Sequence, residues 1–327
     1  MAMMLTELPL LVEVVLKAAV VLAVFLTMPL ALGQLEHKLM GHMQGRLGPM
    51  EAGPHGILQL VADGIKFVQK EDVTPTAADR PVFRLAPAVA LVPYLVALAA
   101  IPFSAAWVAA DVPASLLLVL AATSVGVIGT LMAGWGSGNK YSLIGGMRAG
   151  AQLVSYELPM VLSAASVAMA AGTLSLTGIV QAWSWWWLLW QAPAAAVFLV
   201  ASVAELQRTP FDAPIADAEI VFGPLTEYTG LRFAFFLLAE YAGMVVMALL
   251  FTVLFLGGWR GPWGDVGAVG ALWTVIKATA VGSLFLWFRV AWPRVREDQL
   301  QRLAWLVLLP VALLQLAITG VGVVVMS

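Results

Sequence analysis

Carboxylic acids in apolar surroundings are the residues of this sequence best suited to chemistry. The most acidic stretch runs from Ala204 to Gly230, and Arg208 is its one basic residue. Its acids are Glu205, Asp212, Asp217, Glu219 and Glu227. Carboxyl groups crowded in a poorly solvated interior disfavour one another's ionisation, so that some of them can bind and release protons near neutral pH. The stretch therefore predicts proton-binding sites or, in the simpler interpretation, a solvated loop.

Further acids lie inside long apolar runs. Glu157, Glu205 and Glu240 have no basic partner within their own runs. A charge near the middle of a bilayer costs roughly 3 kcal/mol on insertion scales, and such residues usually face a bundle interior or a water path. We predict that these three acids form a chain of proton-accepting sites that continues into the acidic stretch. Carboxylates that only pack helices together are the alternative. Glu13 and Lys17, four residues apart, predict an ion pair on one helix.

Composition excludes several classes of protein. The 327 residues are 61% hydrophobic and 11% charged, with a mean hydropathy of +0.93, whereas soluble proteins carry roughly 25% charged residues. The net charge of −2 and the lack of a basic tail argue against nucleic-acid binding. The sequence has no cysteine, which excludes thiolate catalysis, disulfides and iron–sulfur ligation by this chain. We also find no P-loop, dinucleotide-binding glycine motif, metalloprotease motif or nucleophile elbow.

Eight apolar runs are long enough to cross a bilayer core of about 30 Å as helices. They predict an all-α membrane protein, a single polytopic membrane domain over residues 1–327. We interpret the first run as a retained span and not as a signal peptide. The predicted spans are 10–32, 86–103, 115–134, 147–171, 185–206, 231–256, 266–290 and 303–326.

The basic residues predict the orientation. Of the 17 lysines and arginines, 14 fall in or beside the loops that follow the first, third, fifth and seventh spans. By the positive-inside rule these odd-numbered loops are cytoplasmic, and both termini face outward. The first loop also contains an amphipathic segment over about residues 54–70, with apolar residues at helical spacing and a basic polar face. It predicts a helix lying in the membrane surface or, equally, one packed on a partner protein.

Six blocks, each at a junction of span and loop, carry a resemblance to a known family. The sequence resembles the H subunit of the proton-pumping NADH-quinone oxidoreductase, respiratory complex I, over nearly its whole length. The blocks are Leu35–Pro49, Leu58–Pro75, Asn139–Pro159, Ala204–Ile220, Thr226–Tyr241 and Ala291–Leu300. The resemblance implies an eight-helix subunit that joins the hydrophilic electron-transfer arm to the antiporter-like pumping subunits and forms the membrane part of the quinone chamber.

The resemblance also implies roles for individual residues. Residues that would line or shape the quinone chamber are Arg46, Asp63, Arg208, Asp212 and Arg294. Residues that would begin an acidic path toward the pumping subunits are Glu157, Glu205, Asp217, Glu219, Glu227 and Glu240. The acidic loop spans about residues 207–230.

Quinone would be the substrate, and this chain would bind no cofactor of its own. FMN and iron–sulfur clusters are expected on partner subunits. The expected partners are the quinone-site and terminal-cluster subunits of the hydrophilic arm and the small membrane subunits that adjoin the antiporter-like subunits. The expected location is the inner (plasma) membrane of a bacterium.

Several positions depart from the family pattern. Ile215 stands where relatives have the first of three carboxylates, and Leu225 stands where they have a histidine. His37 replaces an arginine, and Glu51 replaces a basic residue. Two other classes stay open: the related membrane subunit of an energy-converting hydrogenase or formate hydrogenlyase, which binds no quinone, and a stand-alone ion transporter. We find no internal repeats or paired broken helices of the kind expected of a transporter.

Overall fold

The computed structural model describes residues 10–262 and 267–326, and the regular elements in those ranges are helices. We number the α-helices in chain order. They are α1 Leu10–Met43, α2 Gln59–Gln69, α3 Arg80–Ala100, α4 Ser115–Gly136, α5 Lys140–Ala171, α6 Leu176–Ala182, α7 Trp187–Trp190, α8 Ala192–Glu205, α9 Asp217–Ile220, α10 Gly230–Phe255, α11 Gly267–Ala291, α12 Glu297–Leu303 and α13 Leu309–Met326. A π-helical turn, Ala304–Leu308, joins α12 to α13, and 3-10 turns lie at Pro54–Gly56 and Gly223–Leu225.

Seven helices of the described residues are long and apolar enough to cross a membrane: α1, α3, α4, α5, α10, α11 and the continuous α12–α13. The remaining predicted span, 185–206, is divided between α7 and α8. With 14 residues, α8 is about 21 Å long, which is shorter than a bilayer core. Other helices enclose it, since Phe198 and Ala201 are fully buried. Eight crossings and the orientation of the termini therefore stay predictions.

Several predicted boundaries were too short, those of α1 and α5 by the most. α1 continues past Leu32 to Met43, because its last turns still pack on the protein through residues such as Glu36. α5 begins at Lys140 and not at Met147. Its start is fixed by Asn139, whose side chain accepts a hydrogen bond from the backbone N–H of Tyr141 at 2.9 Å. Such capping satisfies a backbone donor that the first helical turn leaves free.

Helix α10 lies at the centre of the core and α1 at its edge. Met244, Met247, Leu249 and Leu250 of α10 are fully buried. By contrast, no side chain between residues 11 and 24 of α1 is buried, and Phe25 is the first that is. The surface of α1 is apolar, as expected of a helix that faces lipid.

The amphipathic segment predicted over about residues 54–70 forms α2, preceded by a 3-10 turn. No residue of α2 is buried. It rests on α10 through the rings of Phe67 and Phe233, whose centroids are 5.7 Å apart, and on α1 near Gly33, where the Leu60 side chain lies. The apolar side chains Val61, Ile65 and Val68 on its free face are exposed, as a membrane-surface helix requires. Ile57 and Leu58, which directly precede α2, are exposed as well.

The acidic loop, which connects α8 to α10, is folded. Gly223 has φ +53°, and a Cβ there would lie 2.0 Å from the Pro214 carbonyl oxygen. Gly145 of α5 also packs closely against the loop, since a Cβ on it would lie 2.7 Å from Pro224. Phe211 and Ala213 are buried. The loop is thus held against α5 by contacts that admit only glycine, and the prolines restrict its backbone further.

Candidate functional site

A buried arginine joins the acidic loop to three helices. Arg208 follows α8 and is only 5% exposed. Its guanidinium pairs with Glu36 of α1 at 2.7 Å and with Glu240 of α10 at 2.7 Å. Glu36 also pairs with Arg289 of α11, and the Tyr241 ring lies 4.7 Å from the Arg208 guanidinium carbon. Buried charges persist when they are paired, so this cluster of two acids and two arginines is self-neutralising.

The prediction that Glu240 lacks a basic partner was wrong. Arg208 lies 32 residues before Glu240, in a loop that precedes α10, and folding of the loop brings its side chain into the helix bundle. Sequence reasoning also missed Glu36, because it ended the first span at Leu32. The spacing of residues along α1 could have located Glu36, which lies four residues after Leu32 and eleven after Phe25, both of which are buried. Carrying the helical period forward would have placed Glu36 on that same buried face.

Glu205 and Glu157 form a second acidic pair. Glu205, the last residue of α8, is 4% exposed, and neither of its carboxyl oxygens has a hydrogen-bond partner in the described structure. Glu157 of α5 is half-buried, accepts a hydrogen bond from Ser124 of α4, and interacts electrostatically with Glu205. Here the prediction of acids without a basic partner holds. The charge of Glu205 can therefore change without breaking an ion pair.

A small internal cavity connects this pair to the arginine cluster. Its volume is about 60 Å³, and both Glu205 and Glu240 line it together with Tyr94, Thr130 and Ile215. A water molecule needs at least about 10–15 Å³ of such space and two to four polar partners. The cavity therefore has room for several water molecules beside Glu205 and Glu240. Its wall contains both polar and apolar side chains, and the carboxyl oxygens of Glu205 are themselves buried.

The acids of the loop itself lie elsewhere. Glu219 is about half exposed and pairs with Arg148 of α5 at 2.6 Å and with Arg294 at 3.4 Å. The hydrogen bond from Arg148 holds the pKa of Glu219 below its ordinary value. Glu227 accepts a hydrogen bond from Asn139 at 2.6 Å. Neither acid lines the cavity. The side chain of Asp217 lies outside the described residues.

The five residues expected around quinone fall in three places. Arg46 and Asp63 line one open cavity of about 440 Å³, between the end of α1 and α2. Asp212 and Arg294 pair with each other at 3.0 Å beside α12. Arg208 belongs to the buried cluster described above.

One lining residue of the open cavity had no assigned role in the sequence. His37 lies in its wall, and its Nδ1 atom is buried without a hydrogen-bond partner in the described structure. Because His37 follows Glu36 in α1, the same helical turn contacts both the open cavity and the buried cluster. Within residues 10–262 and 267–326, no three acidic or histidine side chains come together as metal ligands.

Comparisons with known proteins agree on one family. The family model described as NADH dehydrogenase matches residues 16–320. The chain is 48% identical to the H subunit of the NADH-quinone oxidoreductase of Geobacillus kaustophilus strain HTA426, over 88% of this chain and 86% of that protein. It is 48% identical to the protein of the same name in Bacillus cytotoxicus, over 87% and 86% respectively. It is 49% identical to that of Anoxybacillus flavithermus, also over 87% and 86%.

Proposed function

This chain belongs to the NADH dehydrogenase family, and on that premise we propose that it is the H subunit, a membrane subunit, of a proton-translocating NADH-quinone oxidoreductase. It forms the membrane part of the quinone chamber and couples quinone reduction to proton translocation. The observation that supports the proposal is the arrangement of its acids: Arg208 pairs with Glu36 and Glu240, and Glu240 and Glu205 line one cavity. Glu157 interacts electrostatically with Glu205.

The open cavity of about 440 Å³ supports the quinone part of the proposal. It lies at the junction of α1 and α2, where the apolar face of α2 is exposed. A lipid-soluble molecule that moves along this face reaches Arg46, Asp63 and His37, which supply hydrogen-bonding groups for a polar ring. Apolar walls with a few polar groups are the usual composition of a small-molecule site.

The coupling follows from the chemistry of quinone reduction, which adds negative charge and consumes two protons. His37 faces the open cavity and Glu36, next to it on α1, pairs with Arg208. Arg208 is shared between Glu36 and Glu240, so a charge change near α1 alters how strongly it holds Glu240. When Arg208 holds it less strongly, Glu240 accepts a proton from Glu205 by way of the cavity, and Glu157 replaces the proton that Glu205 has lost. In this way an event at the open cavity changes protonation on the far side of α10.

The surroundings of Glu157 support a partner that continues the path. Its neighbours Val154 and Leu158 are exposed, and a small membrane subunit placed against them would lie beside the half-buried carboxyl group. The hydrophilic arm, which carries FMN and the iron–sulfur clusters, would cover the acidic loop and α2. In this arrangement the odd-numbered loops are cytoplasmic, both termini face outward, and the subunit lies in the inner membrane of a bacterium with α8 as its eighth crossing.

Paired substitutions test the function. Glu157→Gln and Glu205→Gln keep the size of each side chain and remove its charge, so we expect both to slow quinone reduction and proton translocation in vesicles that contain the assembled enzyme. Glu13→Gln is the matched control, because Glu13 pairs with Lys17 at 2.8 Å near the other end of α1. Wild-type rates in both test variants would remove these acids from the path and leave the proposal without support.

A further inference from the structure

A second cavity lies on the other half of the molecule, between α1 and α11. Its volume is about 640 Å³, and it is bounded by the first half of α1, the end of α3 with the loop after it, and the start of α11. Along the α1 wall of the crevice, no side chain between residues 11 and 24 is buried. Of the chamber and path residues whose side chains the structure describes, none lines it.

The lining of this crevice excludes water as its main occupant. Apart from Lys17 the lining residues are apolar, and several are alanines, including Ala106 and Ala271. Water needs two to four polar partners, which these walls do not supply. An empty space of this size is also unfavourable, because the surrounding side chains lose the contacts of close packing. The crevice therefore requires an apolar occupant.

The rim of the crevice indicates what kind of apolar occupant enters. Leu16, Val20 and Leu272 are exposed on the lipid-facing surface, so the opening lies toward the membrane. A methylene group takes up about as much room as a water molecule, roughly 30 Å³, so the space holds on the order of twenty methylenes. This is the size of one long acyl chain.

The charged residues at the rim indicate the headgroup. Lys17 lines the crevice and pairs with Glu13 at 2.8 Å, and both side chains remain partly exposed. Trp107, which also lines it, is 40% exposed, and tryptophan and lysine favour the level of the lipid headgroups. One cation beside one anion complements a zwitterionic headgroup, in which a phosphate would meet Lys17 and an amine would meet Glu13.

We propose that this crevice is a binding site for a zwitterionic phospholipid, one acyl chain of which fills the space behind α1. The site is independent of the quinone chamber, which lies at the opposite end of α1. Its occupant completes the packing of α1 against α11 as a side chain would, and it holds the outer half of α1 in place.

Photolabelling of the assembled enzyme in lipid vesicles tests the site. The probe is a phosphatidylethanolamine with a photoreactive group near the end of one acyl chain. We expect labelling of residues 98–109 and 268–275 to fall severalfold in Ala271→Phe, which fills the crevice. Ala268→Phe, on the exposed rim, provides a second filling variant if the first fails to assemble. Ala19→Phe is the matched control, because Ala19 is an exposed residue of α1 that does not line the crevice.

Competition identifies the occupant. Unlabelled phosphatidylethanolamine should displace the probe at lower concentrations than phosphatidylglycerol does, and equal displacement would overturn the headgroup assignment. Displacement by a quinone would identify an isoprenoid tail and overturn the proposal. Labelling of a partner subunit in place of residues 98–109 and 268–275, or equal labelling in Ala271→Phe, Ala268→Phe and the parent, would also overturn it.

Discussion

At the scale of residues, the two central acids differ in how their charge is balanced. Glu240 shares Arg208 with Glu36, whereas Glu205 has no hydrogen-bond partner in the described structure. Both acids line one cavity, so a change in the charge of either one acts on the other.

Ile215 is the residue at which we expect this chain to depart most from its family pattern, and it lies in the cavity wall with Glu205 and Glu240. Ile215→Glu adds a third carboxyl group there, so we expect the number of protons moved per electron, the rate of quinone reduction, or both to change. The measurement is proton uptake and quinone reduction in the same vesicles. Ile215→Gln is the matched control for size and polarity. An unchanged ratio and rate in Ile215→Glu would show that the missing carboxylate has no part in the chemistry.

The lowered pKa of Glu219 predicts that the stability of the acidic loop depends on pH. Its pKa is held below the ordinary value chiefly by the hydrogen bond from Arg148. A lowered pKa in the folded state stabilises the loop at any pH above the ordinary carboxyl value, about 4.3. This contribution is lost as the pH falls through the lowered value.

Hydrogen exchange of residues 211–222 in the assembled enzyme, corrected for the intrinsic effect of pH, measures this contribution. Protection should exceed that of Glu219→Gln from neutral pH down to about pH 4, and the two should converge below that. The difference should be small, because half-exposed ion pairs contribute little. Equal protection at neutral pH would show that the Arg148 contact does not hold the loop.

At the scale of elements, sequence periodicity located the helices, and tertiary contacts decided their ends. The surface helix and most spans followed from apolar spacing alone. α1 and α5 extend beyond their predicted bounds because polar residues at their ends are satisfied by the fold: Glu36 by arginines, and the first turn of α5 by Asn139. α8 is shorter than its apolar run, because the chain breaks at Gln191 between α7 and α8. Hydropathy does not register such a break.

The contact between α5 and the acidic loop gives a prediction for these elements. Gly145→Ala places a Cβ 2.7–2.8 Å from Pro224, Gly223 and the Pro214 carbonyl oxygen, so the loop must move away from α5. We expect faster hydrogen exchange across residues 210–226 and lower quinone reductase activity. Gly150→Ala is the control, because its new Cβ meets only the flexible side chain of Leu131. Parent-like exchange and activity in Gly145→Ala would show that this contact does not position the loop.

At the scale of the whole molecule, the sequence singled out the acids inside apolar runs but not how they are arranged in space. Glu157, Glu205 and Glu240 stood out because charges are costly in apolar runs. Their connection depends on Arg208 and Glu36, which are 172 residues apart, and on a cavity that no pattern of spacing encodes. Seven spans follow from the described helices, whereas the direction in which they cross depends on the distribution of basic residues and stays a prediction.

One helix, α1, takes part in both proposed sites, the buried cluster and the lipid crevice. α1 contributes Glu36 to the buried cluster near one end and lines the crevice near the other. A change in lipid packing at the crevice therefore reaches the cluster only through the position of α1 as a whole.

The central claim is that quinone reduction changes the protonation of the carboxyl groups around the internal cavity. Infrared difference spectroscopy of the assembled enzyme, recorded as quinone is reduced, observes protonated carboxyl groups through their C=O stretch. We predict a difference band in the parent enzyme that is lost in Glu205→Gln and kept in Glu13→Gln. A band that persists unchanged in Glu205→Gln, or the absence of any carboxyl band in the parent, would contradict the account.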